Sequence, residues 1–487
     1  MSTPAPVVSF ADLIFHHAQS RPEKPAIILP DRVATYGMMA QGVLRAEDKI
    51  RALALTPGAL VCLSLDSPIR QMIVGAALFR LGHPVLLAPK PDSVDALRLP
   101  IGAYLHDPGE PLFPGKRQAV VDENWFAGER RPLSASPPKG FADDQAICCV
   151  ALSSGTTGRP KAISLTIKAF QQWVMNYYST LGLGVWDRLM LVIGLSTSWG
   201  FTIAAHALFG GRTLVFAGNP REILHMTAVY GADALAATTL QLREILRQQA
   251  SEPMPCGSLR TILTGGGLSS RALLAEARAS LCSSIVNLLG STEAGGTAFA
   301  NVDQLTEIEG ATGFVAPWAE LEIVDRDYRP VPAGSEGIVR IRATCQGAPY
   351  PPERAPENTS FRDGWFYPGD LGRYGANDLL ILTGRTSEVI NVGGLKLAPE
   401  VIEETLRKHP SVTEVAAFGN MGDGGIEEIF VALVPSRPVA DDHLIGWCAE
   451  RGLPLKRVFI VDALPKTASG KIHRDLLKRQ LLGGEEQ

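Results

Sequence analysis

Short apolar runs alternate with longer amphipathic segments through most of this chain. Ser9 to Asp12 fits a variant capping box, and ADLIFHHAQS behind it predicts a first helix ending near Pro22. AIIL follows as a strand, with Pro30-Asp31-Arg32 as its turn. Between 58 and 90, strand-like LVCLSL, helix-like PIRQMIVGAALFRLG and strand-like HPVLLA give the βαβ order of a parallel sheet. Residues 90–145 are rich in Pro, Gly and Asp and read as a loop-heavy connection. The apolar strand AICCVAL then runs straight into a Gly/Ser/Thr loop. The α/β alternation resumes over 186–300, closing with strand LRTILTGGG, helix SSRALLAEARASL and strand SSIVNLLG. Residues 311–385 change character: short strands with Gly/Pro turns predict a small antiparallel sheet or barrel. After Gly384-Arg385 the pattern changes again. Pro399 opens the amphipathic helix PEVIEETLRKH, acids first and bases last, and Pro410 stops it. Two strands, a helix, a strand and a basic last helix follow. The prediction is an α/β chain with a large N-terminal domain over 1–385 and a small α+β domain over 386–487.

Composition narrows the class. The 487 residues leave room for two or three domains with full cores. With 46% apolar and 20% charged residues, wholesale disorder is excluded. The 46 basic and 50 acidic residues supply no global basic surface for nucleic acid. Seven cysteines occur without a CxxC, and Cys148-Cys149 lie inside AICCVAL, so buried free thiols of a reducing cytosol are expected. The nine histidines show no metal spacing. The start lacks a basic n-region, and no apolar run approaches the ~18 residues of a membrane span. A cytoplasmic enzyme without a membrane span is the expectation.

Four segments carry candidate chemistry. LSSGTTGRPKAI sets Ser153, Ser154, Gly155, Thr156, Thr157 and Gly158, then Lys161, directly after a buried strand. Small residues let the backbone approach an anion, hydroxyls and N–H groups donate to it, and lysine adds charge. It is not a Walker loop, because Lys161 follows Pro160 and precedes Ala162. NLLGSTEAGG places Glu293 just past a strand end, where a carboxylate can hold Mg²⁺ with phosphates completing the shell; alone it also fits a helix entry. In DGWFYPGDLG and LTGRTSEVINVGGLKLAPE, Asp370 and Arg385 both sit at turns. A carboxylate suits a ribose diol, while either residue alone reads as a surface ion pair. PKTASGKIHR presents Lys466 and Lys471 on a loop before the final helix.

Together and in this order, the four segments resemble the adenylate-forming superfamily of acyl-CoA synthetases, peptide-synthetase adenylation domains and luciferase-like enzymes. GGGLS at 265–269 and EGIVRI at 336–341 extend the resemblance to nearly the whole chain. It implies a large domain with a small mobile C-terminal domain. It also implies two half-reactions: attack of a carboxylate on ATP to give acyl-AMP, then transfer to a thiol, usually that of coenzyme A. On the same basis, Ser153 to Gly158 and Lys161 cradle the β- and γ-phosphates. Thr292 meets the α-phosphate and Glu293 holds Mg²⁺. Asp370 and Arg385 take the ribose, and Gly265, Gly266 and Gly267 with Asn287, Leu288, Leu289 and Gly290 form the adenine slot. Lys471 bridges carboxylate and α-phosphate. Gly393 and Gly394 admit the pantetheine arm, Lys396 is a candidate for the nucleotide end of coenzyme A, and Ser387 is the hinge. Leu289 stands where the family usually has an aromatic residue, and Ser387 where it has Asp or Lys.

The acid itself is marked more faintly. Amino-acid-activating members carry an Asp in the stretch matching GLSTSWGFTIAAH; here there is no acid, and a buried ammonium without a counter-charge is costly. Trp199 and Phe201 either line an acyl pocket or are ordinary core aromatics, and His206 reads as a core histidine. The expected activity is an ATP-dependent acid–coenzyme A ligase acting on a small carboxylic acid, aliphatic or aromatic. The alternatives are an activator that loads an acyl carrier protein and a nucleotide-binding module without catalysis. No carrier domain follows Gln487, which favours coenzyme A; the occupied charged positions favour catalysis.

Overall fold

The computed structural model describes residues 9–88, 94, 97–109, 116–133, 140–153, 161–180, 186–267, 269–305, 310–352, 360–386, 390–392, 395–397, 399–422, 427–466 and 472–482. The first helix, Phe10–Ser20, begins as the capping pattern requires. The Asp12 carboxylate accepts from the Ser9 N–H (2.8 Å) and hydroxyl (3.1 Å). Its apolar face buries Phe10, Ile14 and Phe15.

Two large sheets make the N-terminal domain. One has seven strands. Leu60–Ser64 and Val85–Leu87 pair in parallel around the helix Pro68–Leu81, confirming the βαβ reading, and Ile147–Ser153 joins in parallel beside Val85–Leu87. That helix ends at Gly82, whose φ of +73° and 2.3 Å approach of an added Cβ to the Gly140 carbonyl exclude a side chain. The segment 90–145 is less loop-like than its composition suggests. Ile101–His106 and Gln118–Val120 extend the sheet in parallel. Ala103 to His106 are buried on both faces, so the strand lacks the alternation that would mark it.

The other sheet has fifteen strands. Thr213–Val215, Arg188–Leu191, Ala234–Thr238, Thr261–Gly265 and Ile285–Ser291 form its parallel centre. The direction then reverses at Gly295–Asn301 and Ala311–Val315. The antiparallel strands of 311–385 continue this sheet through the pairing of Ala311–Val315 with Leu380–Arg385, around a core of Leu321, Val339, Ile341, Phe366 and Leu380. Helices fill the space between, and Phe10, Phe79, Phe170 and Phe201 meet there with ring centroids 5.1–6.2 Å apart. Two helices occur where the apolar pattern was read as none: Ile167–Thr180 and Thr239–Ser251, the latter opened by a Thr238/Gln241 capping box.

The small C-terminal domain is a three-stranded sheet. Val412–Met421 and Glu427–Pro435 are antiparallel, and Leu455–Ile460 lies parallel to the second. Pro399–Arg407 and Asp441–Ala449 cover one face through Ile402, Leu406 and Leu444; Arg474–Leu482 covers the other through Leu477. Among the described residues, no helix is long and apolar enough to cross a membrane.

Candidate active site

The site forms where strands of both sheets end. Ile147–Ser153 and Lys161–Thr166 are antiparallel with Ser153 opposite Lys161, so the two residues that flank the Gly/Ser/Thr-rich segment are fixed side by side. Ser154, Gly155, Thr156, Thr157 and Gly158 lie outside the described residues. The Lys161 ammonium donates to the Ser360 hydroxyl at 3.1 Å.

Across the second sheet, Gly265 ends its strand beside Leu288 of the next. A Cβ on Gly265 would lie 2.3 Å from the Leu288 carbonyl oxygen, so no side chain fits there. Gly266 follows at φ +76° with Trp199 and Thr238 beside it, and the Thr239 hydroxyl reaches the Gly265 and Gly267 carbonyls at 3.2 and 3.3 Å. The result is a side-chain-free shelf at the carboxyl end of a central strand. Asn287 is buried; its amide donates to the Thr312 carbonyl (2.9 Å), while its own oxygen has no partner among the described residues. Leu289 is half-buried against the antiparallel strands, and Gly290 passes so close to the Gly295 carbonyl that a Cβ would stand 2.7 Å away. Glycine and unpaired amide at a strand end suit a flat nitrogen heterocycle.

Thr292 and Glu293 lie just beyond. The Thr292 hydroxyl is 3.5 Å from that of Ser198, at the head of the helix Ser198–Phe209. Glu293 is 9% exposed, yet its carboxylate has no hydrogen-bond or ion-pair partner among the described residues. A carboxylate with so little exposure favours a neighbouring cation, and the described residues supply none. No group of three metal-ligating side chains occurs among the described residues. One carboxylate plus phosphate oxygens is nevertheless the way Mg²⁺ is usually held at nucleotide sites, so the residues present fit that ion.

Asp370 and Arg385 are brought together. They are cross-strand partners of Asp370–Tyr374 and Leu380–Arg385, with 3.3 Å between carboxylate and guanidinium. Arg385 also donates to the Pro368 carbonyl, and Thr386 donates through N–H (2.7 Å) and hydroxyl (3.1 Å) to the Gly369 carbonyl. The arginine thus lies in ion-pair range of the carboxylate from a tied-down turn.

The two aromatic candidates separate. Trp199 is half-buried beside Gly266, and its indole N–H has no partner among the described residues. Phe201 is fully buried in the phenylalanine cluster against Gly75 and does not face the site. Position 201 lies two residues on, about 200° round the helix. His206 is a core histidine: one ring nitrogen bonds the Val174 carbonyl (2.9 Å), and burial lowers its pKa to about 3, helped by nearby Arg212. Sequence reading missed Trp173, whose ring lies where a Cβ on Gly295 (φ +69°) would be, and whose N–H is fixed by the Cys345 carbonyl at 2.9 Å. The Gly295-Gly296 pair was the available signal.

On the small domain, Lys471, Gly393, Gly394 and the hinge candidate Ser387 lie outside the described residues, as does the side chain of Lys396. The base of the Lys471 loop is described. Lys466 and Ile472 form an antiparallel bridge, and His473 N–H donates to the Pro465 carbonyl at 2.8 Å. Arg474 next to it bonds the buried Glu403 carboxylate (2.6 Å), which also accepts from Arg407 (2.9 Å) and the Ala417 N–H (3.0 Å). The loop is therefore closed at its base and anchored to the domain core.

Comparison with known proteins places the chain in a family. The family described as AMP-binding enzyme matches residues 106–350, and the AMP-binding enzyme C-terminal domain matches 401–471. An indoleacetate–CoA ligase of Aromatoleum aromaticum is 26% identical, over 96% of this chain and 97% of its own. A salicyl-AMP ligase/salicyl-S-ArCP synthetase of Mycobacterium tuberculosis is 28% identical over 92% and 85%. The solved o-succinylbenzoate coenzyme A synthetase of Bacillus subtilis, in complex with ATP and magnesium ion, shares the fold with a TM-score of 0.82. It is 22% identical, covering 96% of this chain and 99% of that one.

Proposed function

The chain belongs to the AMP-binding enzymes, and on that premise we propose that it joins a carboxylic acid to coenzyme A through an acyl-AMP. In the first half-reaction a carboxylate oxygen bonds to the α-phosphorus of ATP and the bond to pyrophosphate breaks. In the second, the coenzyme A sulfur bonds to the acyl carbon, the bond to the AMP oxygen breaks, and the thiol proton passes to solvent. The observation that carries this reading is the little-exposed Glu293 beside Thr292, three residues past Gly290, whose carboxylate has no partner among the described residues. It is a site built for a cation that arrives with its substrate.

The adenine lies between the Gly265–Gly267 shelf and Asn287–Gly290, its amino group facing the Asn287 oxygen, which has no partner among the described residues. Asp370, held by Arg385, accepts from the ribose hydroxyls. The loop from Ser153 to Gly158 and Lys161 receive the terminal phosphates, and Thr292 meets the α-phosphate. Glu293 holds Mg²⁺, which offsets phosphate charge when bound. Lys471 stabilises the charge that grows between carboxylate and α-phosphate. Ser387 serves as hinge between domains spanning 1–385 and 386–487, and the Gly393-Gly394 loop, with Lys396, receives coenzyme A.

The acid lies on the Trp199 side of the Gly266 turn. The described side chains beside Gly266, Trp199 and Thr238, carry no carboxylate, which supports an acid without an amino group. Trp199 and the aromatic acid named for the Aromatoleum relative favour an aromatic one. The Mycobacterium relative favours a second reading, in which a carrier protein takes the acyl group. A panel of aromatic and aliphatic acids, assayed for AMP formation with and without coenzyme A, tests both. The first reading requires acid-dependent AMP release that rises with coenzyme A; indifference to coenzyme A moves the acceptor to a carrier.

A further inference from the structure

The helix Thr239–Ser251 touches both halves of the enzyme. Its first residue, Thr239, bonds the shelf carbonyls of Gly265 and Gly267. One to two turns later, Arg243, Glu244 and Arg247 meet the small domain. Arg247 donates to the Thr413 carbonyl at 2.7 Å. The Lys466 ammonium sits 3.1 Å from the Glu414 carboxylate and 3.8 Å from that of Glu244. Arg243 lies among Arg247, Arg407, Glu404 and Glu414, and burial lowers its pKa. Charges of both signs thus come from both domains. Lys466 is also the base of the closed loop that carries Lys471 five positions on.

Building on the two-step reaction above, we propose that Glu244, Arg247 and Lys466 are positioning residues. They clasp the small domain against the shelf-bearing helix in the orientation that serves adenylation, and they release it for thiol transfer. The chemistry of the contacts suits that task. They are charged and partly exposed, with side chains 28% and 42% accessible for Lys466 and Glu244, so each is weak and readily exchanged with water. A clasp of buried apolar groups would hold one orientation and stall the second half-reaction. Arg247 adds the geometric precision, because a guanidinium on a backbone carbonyl fixes distance and direction together.

The test separates the half-reactions. The variant Glu244→Lys/Arg247→Glu should lose about five- to tenfold in acid-dependent ATP–pyrophosphate exchange at saturating ATP, as expected for two exposed charged contacts. Its thioester formation from preformed acyl-AMP should be unchanged or faster. Raising ionic strength should lower wild-type exchange toward the variant and leave the variant flat. In a second arm, Arg247→Cys/Thr413→Cys is joined by a short, cleavable thiol cross-linker. Exchange should persist in the linked protein, thioester formation should fall at least tenfold, and cleavage should restore it. Equal loss in both half-reactions, or thioester formation by the linked protein at the unlinked rate, overturns the clasp. A wild-type enzyme with no acid-dependent exchange at all would instead refute the reaction on which the clasp depends.

Discussion

Glu47 and Glu293 are both buried carboxylates of the large domain, 3% and 9% exposed, and the protein treats them oppositely. Glu47, on the helix Tyr36–Ala52, accepts from Arg80 at 2.7 Å and from Arg51 at 2.9 Å; Arg80 is itself buried, bonded to Asp12 and laid over the Phe15 ring. Every charge in that cluster has its counter-charge in the fold. Glu293 has none among the described residues. A carboxylate paired in the fold stabilises it, whereas one left bare at a strand end suits a cation that arrives with a ligand, as the proposed reaction requires.

That contrast orders the predictions. Glu47→Gln strands part of the Arg80 charge and should cost about 3 kcal/mol of stability, with little change in kcat; chemical denaturation beside steady-state kinetics checks it. Lys471→Ala should spare stability and lower adenylation by about 10²–10³-fold, as for loss of one contact made as charge develops. Thioester formation from preformed acyl-AMP should survive, and equal loss in both steps would refute the role. Asp370→Ala should raise the KM for ATP several-fold with a smaller change in kcat, because the ribose contact exists in ground and transition states alike. An unchanged KM would make the Asp370–Arg385 pair a strand fastener.

The fold was legible wherever local pattern and tertiary environment agree. The Ser9–Asp12 cap, the βαβ unit around Pro68–Leu81 and the Pro399 helix each announce themselves within a few residues. Ile101–His106 did not, because a strand buried on both faces shows no period and its Pro/Gly surroundings dominate the composition. Thr239–Ser251 was legible in its capping box but went unread beside the stronger strand signals of its neighbours. At the site, the glycines were readable because glycine is forced there: Gly265 by the Leu288 carbonyl, Gly266 by its positive φ. The acyl side was not. Which of Trp199 and Phe201 faces the site depends on how one helix is rotated against Phe10, Phe79 and Phe170. The seat of Trp173 on Gly295 joins residues far apart in sequence. Arg385 pairing with Asp370 follows from strand register, which their 15-residue spacing alone does not set.

The most direct test of the account is the thermal unfolding of Glu293→Gln, measured without ligand and with Mg²⁺-ATP. If the carboxylate is kept bare for an incoming cation, the ligand-free variant melts close to the wild-type temperature, because no partner among the described residues is lost with it. It should then gain much less than wild type from Mg²⁺-ATP, with the affinity lowered by at least about tenfold. A ligand-free variant that melts as far below wild type as Glu47→Gln does, and still gains the full wild-type increment from Mg²⁺-ATP, would contradict it.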